Sequence, residues 1–151
     1  MSSTHHAPRY LTPGRVTTGL VNPLVAWLTR HGLPLKGSAV LEVAGRVSGE
    51  TRATPVNPLV SDATTYLVAP RGETQWVRNI RQAGGGALVR GRSRREIAVT
   101  ELADAAKPAI IRAYLRAWAW EVGKFFPGLS AQSSDDEIAA VAAGFPVFRI
   151  D

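Results

Sequence analysis

Apolar and polar residues alternate along several short stretches of the chain, which is the pattern of β-strands that bury one face. Valine, isoleucine and threonine are frequent in these stretches, and turn residues bound them. Six strands are predicted, at residues 39–44, 52–60, 64–69, 87–91, 96–102 and 145–150. Pro55 and Pro58 lie in the second stretch, which is therefore predicted to be an irregular or edge strand, because proline has no N–H to donate to a sheet.

Helical spacing of apolar residues, together with capping residues, predicts four helices. They cover residues 23–31, 74–83, 108–122 and 134–143. Strands that are joined mostly by hairpins and interrupted by helices predict an α+β fold, mainly a small β-barrel with helical covers. We expect residues 1–22 to form a flexible N-terminal segment and residues 23–151 to form a single domain that includes the helix at 23–31.

The composition narrows the chemistry. Hydrophobic residues make up 45% of the 151 residues, enough for a buried core. There is no cysteine, which excludes disulfides and thiolate chemistry and is typical of a reducing cytoplasm. His5, His6 and His31 lack the spacing of metal ligands, so no metal is expected. We find neither a signal-peptide pattern nor an apolar run of bilayer-spanning length, so we expect a cytoplasmic protein.

The net charge of +6 is concentrated in the first two thirds of the chain. Residues 1–99 carry 13 basic and 5 acidic side chains, whereas residues 100–151 carry 5 and 7. Seven of the basic residues are arginines between Arg71 and Arg95. This clustering indicates an anionic partner, which can be a nucleic acid, a membrane surface or a phosphorylated cofactor. Arginine in place of lysine favours discrete, forked contacts with that partner.

Residues 45–52, which read Gly-Arg-Val-Ser-Gly-Glu-Thr-Arg, have the chemistry of an anion-binding turn. Two glycines permit a tight bend, Ser48 offers a hydroxyl, and Arg46 and Arg52 offer planar guanidinium groups. Residues 76–81, Trp-Val-Arg-Asn-Ile-Arg, begin a short predicted helix whose free N–H groups can face the same ligand. Together the two segments predict a pocket for an elongated anionic cofactor.

The order of these segments resembles the deazaflavin-dependent nitroreductase family of actinobacterial oxidoreductases. The matching features are the GRxSGxxR turn, a strand that ends in Tyr66-Leu67-Val68-Ala69, the loop at 70–72, the WVRNIR segment and the last strand at 145–150. The resemblance implies a split β-barrel of the flavin-reductase and pyridoxamine-phosphate-oxidase type. It also implies coenzyme F420, an 8-hydroxy-5-deazaflavin with a phosphodiester and glutamates in its tail, in preference to FMN or FAD.

By this resemblance, the cofactor-binding residues fall into three groups. The tail group consists of Arg46, Val47, Ser48, Gly49 and Arg52, with Arg78 facing the tail or solvent. The ring is bordered by Thr54 and Pro55, by the backbone of Ala69, Pro70, Arg71 and Gly72, and by Trp76 and Asn79. Val47 stands where many relatives carry a lysine, and Pro70 stands where a serine is common, so two expected polar contacts are missing.

The resemblance implies hydride transfer from the reduced coenzyme to an apolar, electron-poor acceptor, either a quinone, an enone or a nitro compound. Such a reaction depends more on geometry than on a tuned acid or base. The sequence therefore identifies no firm catalytic residue. Water, Ser48, Tyr66 and Tyr114 are the candidate proton donors. The tyrosine-rich substrate segment of the nitroreductase prototype is missing, so nitroimidazole reduction is not assumed.

The sequence alone leaves other ligands and partners open. A split barrel of this kind can bind a flavin, haem or a lipid without catalysis. Arg90, Arg92, Arg94 and Arg95 can contact nucleic acid, but no aromatic residues for base stacking are interleaved with them, so no nucleic acid is expected. The apolar helix at 23–31 can rest on the inner face of a membrane. The protein is expected to be a monomer or a homodimer.

Overall fold

The structure, a computed structural model, describes residues 38–151, without the side chains of residues 119–122. The predicted flexible segment at 1–22 and the predicted helix at 23–31 lie outside the described residues. The strands are β1 (Ala39–Ala44), β2 (Thr51–Val56), β3 (Leu59–Ser61), β4 (Thr64–Val68), β5 (Gly85–Arg90), β6 (Ser93–Glu101) and β7 (Val147–Ile150). The helices are α1 (Gln75–Ala83), α2 (Lys107–Val122) and α3 (Asp135–Ala139), with 3-10 turns at Asp104–Ala106, Gly123–Phe125 and Ala142–Gly144.

The seven strands form one curled antiparallel sheet in the order β2-β1-β5-β6-β7-β4-β3. β6 is the longest strand and connects the two halves of the sheet. Its residues 93–98 pair with β5, and its residues 99–101 pair with β7. β2 and β3 lie at the two ends of the sheet. The α+β class and the barrel-like sheet predicted from the sequence are confirmed.

The inner, concave face of the sheet buries the first hydrophobic cluster. Its members come from alternate positions of the strands, as the period-2 geometry requires, and include Leu41, Leu88 and Phe148. α1 closes this face with Val77 and Ile80, both fully buried. The ring of Trp76 packs on the same cluster, with its centroid 5.8 Å from that of Phe148.

The outer face of β3, β4 and β7 is covered by α2 and α3. Here Tyr114, Phe126, Phe145 and Val147 form a second cluster, in which the rings of Phe126 and Phe145 stack at 4.3 Å. α3 begins with a complete capping box between Ser134 and Glu137, as the sequence predicts.

Three predicted boundaries are corrected. The stretch at 52–60 forms two strands, β2 and β3, because Asn57 and Pro58 interrupt it. The last helix ends at Ala139, and the 3-10 turn at Ala142–Gly144 follows it. The strand predicted at 87–91 begins two residues earlier, because Gly85 and Gly86 are the first residues of β5. A Cβ at Gly85 would lie 2.1 Å from the carbonyl oxygen of Ile97, so close backbone packing requires glycine there.

Candidate functional site

The turn between β1 and β2 is held by its own hydrogen bonds. The Gly45 N–H donates to the Glu50 carbonyl oxygen at 2.8 Å, and the Gly49 N–H donates to the Gly45 carbonyl oxygen at 2.9 Å. The Ser48 hydroxyl oxygen accepts from the Glu50 N–H at 3.2 Å. Gly49 has a φ of 75°, the left-handed region that favours glycine. The turn therefore has a defined shape that presents Arg46, Val47 and Ser48.

Arg46 fastens this turn to α1. The Oδ1 atom of Asn79 accepts hydrogen bonds from both the Arg46 backbone N–H, at 3.1 Å, and its Nη1, at 2.9 Å. Nη1 also donates to Oε1 of Gln75 at 2.8 Å. Asn79 is 4% exposed, so its carbonyl group is fixed by packing. The structure thus brings together the two segments that the sequence predicted to share one ligand.

β2 continues the site along the edge of the sheet. Arg52 and Thr54 pair with Val43 and Leu41, whose side chains belong to the inner cluster, so both lie on the inner face where α1 packs. Pro55 pairs with Val40 and is exposed on the opposite face. A ligand on the inner face can therefore touch the side chain of Thr54 but not that of Pro55.

Charge on this edge is mostly positive. Arg52 is largely exposed, and Glu50 approaches it with a distance of 4.0 Å between Arg52 Nη2 and Glu50 Oε2. An exposed pair at that distance is weak, so Arg52 stays available to an anionic ligand. Val47 is 92% exposed at the tip of the turn and brings no charge.

The loop at 69–74 leads directly into α1. The Gly72 N–H donates to the Ala69 carbonyl oxygen at 3.1 Å, and the Thr74 N–H donates to the Gly72 carbonyl oxygen at 2.8 Å. The Arg71 guanidinium lies 5.7 Å from the centre of the Phe125 ring, so it is directed toward the second cluster. Among the predicted loop residues, Ala69 and Gly72 are buried, and Pro70 and Arg71 are half-buried.

Thr74 is a candidate site residue that the sequence analysis did not select. It is the N-cap of α1, it is 7% exposed, and its Oγ1 makes no hydrogen bond with any described residue. A threonine in this position normally accepts from a backbone N–H of the first helical turn. Here the hydroxyl makes no such bond, so it is a candidate contact for a ligand at the N-terminus of α1. The available signal was a threonine at the first position of the predicted helix at 74–83, where an N-cap residue is common.

An ion-pair cluster fixes the far side of α1. Arg81 forms hydrogen-bonded ion pairs with Glu73, at 2.8 Å, and with Glu101, at 2.7 Å. The hydrogen bond from Arg81 lowers the pKa of Glu73, and the two carboxylates together raise the pKa of Arg81. Glu73, the acidic residue nearest to the start of α1 in sequence, is thereby paired with Arg81, which weakens its repulsion of an anion at the helix N-terminus.

Several predicted residues lie away from the turn. Tyr66 and Tyr114 pack in the second cluster, on the other face of the sheet from α1, and Tyr114 is 1% exposed. Arg78 is exposed on α1.

An open cavity of about 410 Å³ lies elsewhere, beside the first residues of β5. The backbone of residues 83–87 lines it, together with Glu42, Arg94 and Glu96. It contains none of the predicted cofactor-binding residues. Glu42 and Glu96 both bond to Arg94 in its wall, which leaves one negative charge in excess, so the cavity does not suit an anion.

The residues at the turn and at the start of α1 fit an elongated anion with a hydrogen-bonding head. The guanidinium groups of Arg46 and Arg52 lie at the turn. The buried Thr74 hydroxyl, which has no hydrogen-bond partner among the described residues, lies at the N-terminus of α1. No acidic residue occupies the first turn of α1. Among the described residues, no group of three or more acidic or histidine side chains forms a metal site, and no helix is long and apolar enough to cross a bilayer.

Comparison with solved structures shows the fold. An F420-H2 dependent reductase, FDR-A, superposes with a TM-score of 0.53 at 15% identity and covers 77% of this chain and 95% of its own. A protein crystallised as a domain-swapped dimer gives a TM-score of 0.55 at 14% identity, covering 87% and 93%. An FAD-binding protein from Mesorhizobium loti gives 0.50 at 15% identity, covering 84% and 86%. These similarities confirm the split β-barrel.

Sequence comparison identifies the family. No protein of curated function matches the chain significantly. The profile of the F420H2-dependent quinone reductase family matches residues 22–122, about two thirds of the chain. This match includes the turn at 45–52 and all of α1. The chain therefore belongs to the F420H2-dependent quinone reductase family and is an F420H2-dependent reductase.

Proposed function

We propose that the chain binds coenzyme F420 along the inner side of β2 and transfers hydride to an apolar, electron-poor acceptor, with a quinone as the first choice. The observation that carries this proposal is the junction of turn and helix, where Arg46 bonds to Asn79 and Gln75. It joins the anion-binding turn to the start of α1. The family match supports the coenzyme, and the word quinone in the family's name supports the acceptor.

The anionic tail is assigned to Arg46, Ser48, Gly49 and Arg52. Each well-formed hydrogen bond from an arginine to a phosphate is worth about 1.5–3 kcal/mol. Two such contacts are enough to dominate the affinity for the tail. Val47 supplies no charge, so we expect the backbone of the turn to contribute in its place.

The ring is assigned to the region between Thr54 and the start of α1. Thr74 Oγ1 and the first N–H groups of α1 offer donors to ring oxygens, the backbone of residues 69–72 offers further hydrogen bonds, and Trp76 offers an apolar wall. When bound, the reduced coenzyme supplies a hydride, that is, two electrons and one hydrogen nucleus. The chain's own task is to orient the two partners and to exclude water from the contact.

The acceptor also needs a proton if it takes up one hydride. Tyr66 and Tyr114 lie on the other face of the sheet, so neither is retained as a donor. We assign the proton to solvent water, because Ser48 belongs to the residues assigned to the tail and not to those assigned to the ring. Ser48→Ala tests this assignment, because water as donor predicts unchanged turnover at saturating acceptor and coenzyme.

The tail assignment is tested with the double variant Arg46→Ala/Arg52→Ala. Titration calorimetry with the oxidised coenzyme is expected to show at least about tenfold weaker binding, corresponding to about 1.4 kcal/mol. The matched control Arg116→Ala/Lys124→Ala removes two cations from exposed positions on α2 and the 3-10 turn after it, and its affinity should equal that of the wild type. Equal affinity for all three proteins would remove the tail site.

The acceptor is tested by anaerobic turnover with the reduced coenzyme and one compound of each class, a short-chain quinone, an enone and a nitroarene. A higher kcat/KM for the quinone is expected. A purified protein that carries a flavin or haem absorbance, and shows no turnover with the reduced coenzyme, would instead support the differently loaded barrel.

The assembly state is a separate proposal. The neighbour that forms a domain-swapped dimer supports a homodimer for this chain as well. Light scattering coupled to gel filtration distinguishes this state from the monomer.

A further inference from the structure

The hairpin of β5 and β6 projects from the sheet. Its tip, residues 90–95, is closed by the pair Arg90–Ser93. β7 pairs with β6 from Val99 onward, so the edge of β6 that faces β7 is not covered by that strand at the tip. We call residues 90–95 the basic tip, because four of its six residues are arginines.

Most of the charge on the basic tip is uncompensated. All four arginines are exposed. Arg94 forms ion pairs with Glu42, at 3.3 Å, and with Glu96. Arg90, Arg92 and Arg95 form no ion pair or hydrogen bond with any described residue. Three exposed guanidinium groups on one short hairpin create a local positive potential that attracts an anionic partner.

The tip presents these charges in more than one direction. Arg95 pairs with Leu88, whose side chain points into the inner cluster, and Arg94 pairs with Val89 on the outer face. Arg92 lies in the connecting turn. Cations that point in several directions from a protruding loop suit a broad charged surface better than they suit one small ligand.

The chain that leads into β1 adds charge of the same sign. Val40 pairs with Val89, so β1 begins beside the basic tip. Residues 1–37, which precede β1, contain four basic and no acidic side chains. They also contain the apolar stretch Leu24-Val25-Ala26-Trp27-Leu28. Basic and apolar residues combined in this way are typical of segments that contact an anionic lipid surface.

We propose that the basic tip docks the protein on a bilayer that contains anionic phospholipid. The lack of aromatic residues between 85 and 101 disfavours single-stranded nucleic acid, which needs stacking platforms. A bilayer is also where a lipid-soluble quinone would be found, and this part of the argument rests on the proposed function. Docking would hold the enzyme at the source of its acceptor.

The position of the tip leaves the coenzyme site free. The basic tip lies beside the first residues of β1, and the turn with Arg46 follows its last residue. A strand of six residues is about 20 Å long. The tail of the coenzyme and the lipid headgroups, both anionic, would therefore engage different arginines at opposite ends of one strand.

The experiment uses the full chain and sedimentation with vesicles of phosphatidylcholine alone or mixed with phosphatidylglycerol. Binding is expected only to the mixed vesicles, and high salt should weaken it. The variant Arg90→Gln/Arg92→Gln/Arg95→Gln should bind about a hundredfold more weakly, since each of the three basic residues near an anionic leaflet contributes roughly fivefold. Its coenzyme affinity should not change.

Two further variants make the result decisive. Arg116→Gln/Lys124→Gln/Arg149→Gln removes the same charge from other exposed positions and should bind vesicles like the wild type. Replacement of the three tip arginines by lysine should also preserve binding, which covers the case that the glutamine variant misfolds. Equal loss in both glutamine variants, or tighter binding of the wild type to oligonucleotides than to mixed vesicles, would overturn the proposal. A failed coenzyme site would leave the vesicle result unchanged.

Discussion

Asn79 is the residue through which the structure can be tested most directly. Its Oδ1 accepts the backbone N–H and the Nη1 of Arg46, and it is buried under the turn. Asn79→Ala removes both bonds, so the backbone N–H and the Nη1 of Arg46 each lose one acceptor. We expect the turn to loosen and the protein to lose both stability and coenzyme affinity.

The expected loss of stability follows from the two bonds. A neutral hydrogen bond such as that from the Arg46 N–H contributes about 1 kcal/mol, and one from a charged donor contributes about 1.5 kcal/mol at a partly exposed position. Alanine is the better helix former by about 0.5 kcal/mol, which offsets part of the loss. The net decrease in the free energy of unfolding is about 2 kcal/mol, or about 4–8 °C in Tm for a chain of this length.

Asn79→Asp separates the structural role from the electrostatic one. The carboxylate can accept the same two bonds, so the Tm should stay within about 2 °C of the wild type. The new negative charge offsets the positive charge of Arg46, so the coenzyme should bind at least about tenfold more weakly, corresponding to about 1.4 kcal/mol.

Both variants are measured by thermal unfolding and by fluorescence titration with the oxidised coenzyme. The reasoning is refuted if Asn79→Ala keeps the wild-type Tm, because the bonds to Arg46 would then contribute nothing. It is also refuted if Asn79→Asp binds the coenzyme as tightly as the wild type, because Arg46 would then not face an anion.

Three further predictions address other parts of the molecule. Thr74→Val removes a hydroxyl that has no hydrogen-bond partner among the described residues, so the Tm should not fall. Coenzyme affinity should fall about three- to tenfold, and unchanged affinity would exclude this hydroxyl from the site. Gly86→Ala places a Cβ 2.3 Å from the Glu42 carbonyl oxygen and should cost about 3 kcal/mol or more in urea unfolding, whereas Gly123→Ala enters open space and should be neutral or slightly stabilising. The hydrogen bond from Arg81 lowers the pKa of Glu73, so the wild type should be more stable than Glu73→Gln at neutral pH. This advantage should be lost as the pH falls through the lowered pKa of Glu73. A difference in the free energy of unfolding that does not change with pH would contradict the ion pair.

Local patterns predicted the elements well wherever the determinants are near in sequence. The helix at 74–83 was predicted from its apolar spacing and from Gly84, and the structure places a left-handed glycine there as the C-cap. The strand at 87–91 was predicted to begin only after Gly85 and Gly86, because glycine usually marks a turn. Glycine is required at these positions because a Cβ would lie 2.1 Å from the Ile97 carbonyl oxygen at Gly85 and 2.3 Å from the Glu42 carbonyl oxygen at Gly86. No local sequence pattern records these contacts with other strands.

The candidate site was predicted as two segments, but not as a bonded unit. The sequence supplies Arg46 and Asn79 as members of separate motifs, and the contact between them joins residues 33 positions apart. Thr54 and Pro55 were both placed at the ring by the family resemblance, which does not say to which face of the strand each side chain belongs. Once β2 is a regular strand paired with β1, alternation assigns them to opposite faces.

β6 has a property that matters for any change in the length of this chain. Because one strand continues from its pairing with β5 into its pairing with β7, the loss or gain of a single residue between Ile97 and Val99 would reverse the side chains of one half of the sheet relative to the other. A shift by one residue in the part of β6 that pairs with β5 would, for example, replace the buried Ile97 on the inner face by the charged Glu96. Substitutions along β6 keep its register and are therefore tolerated better than insertions or deletions.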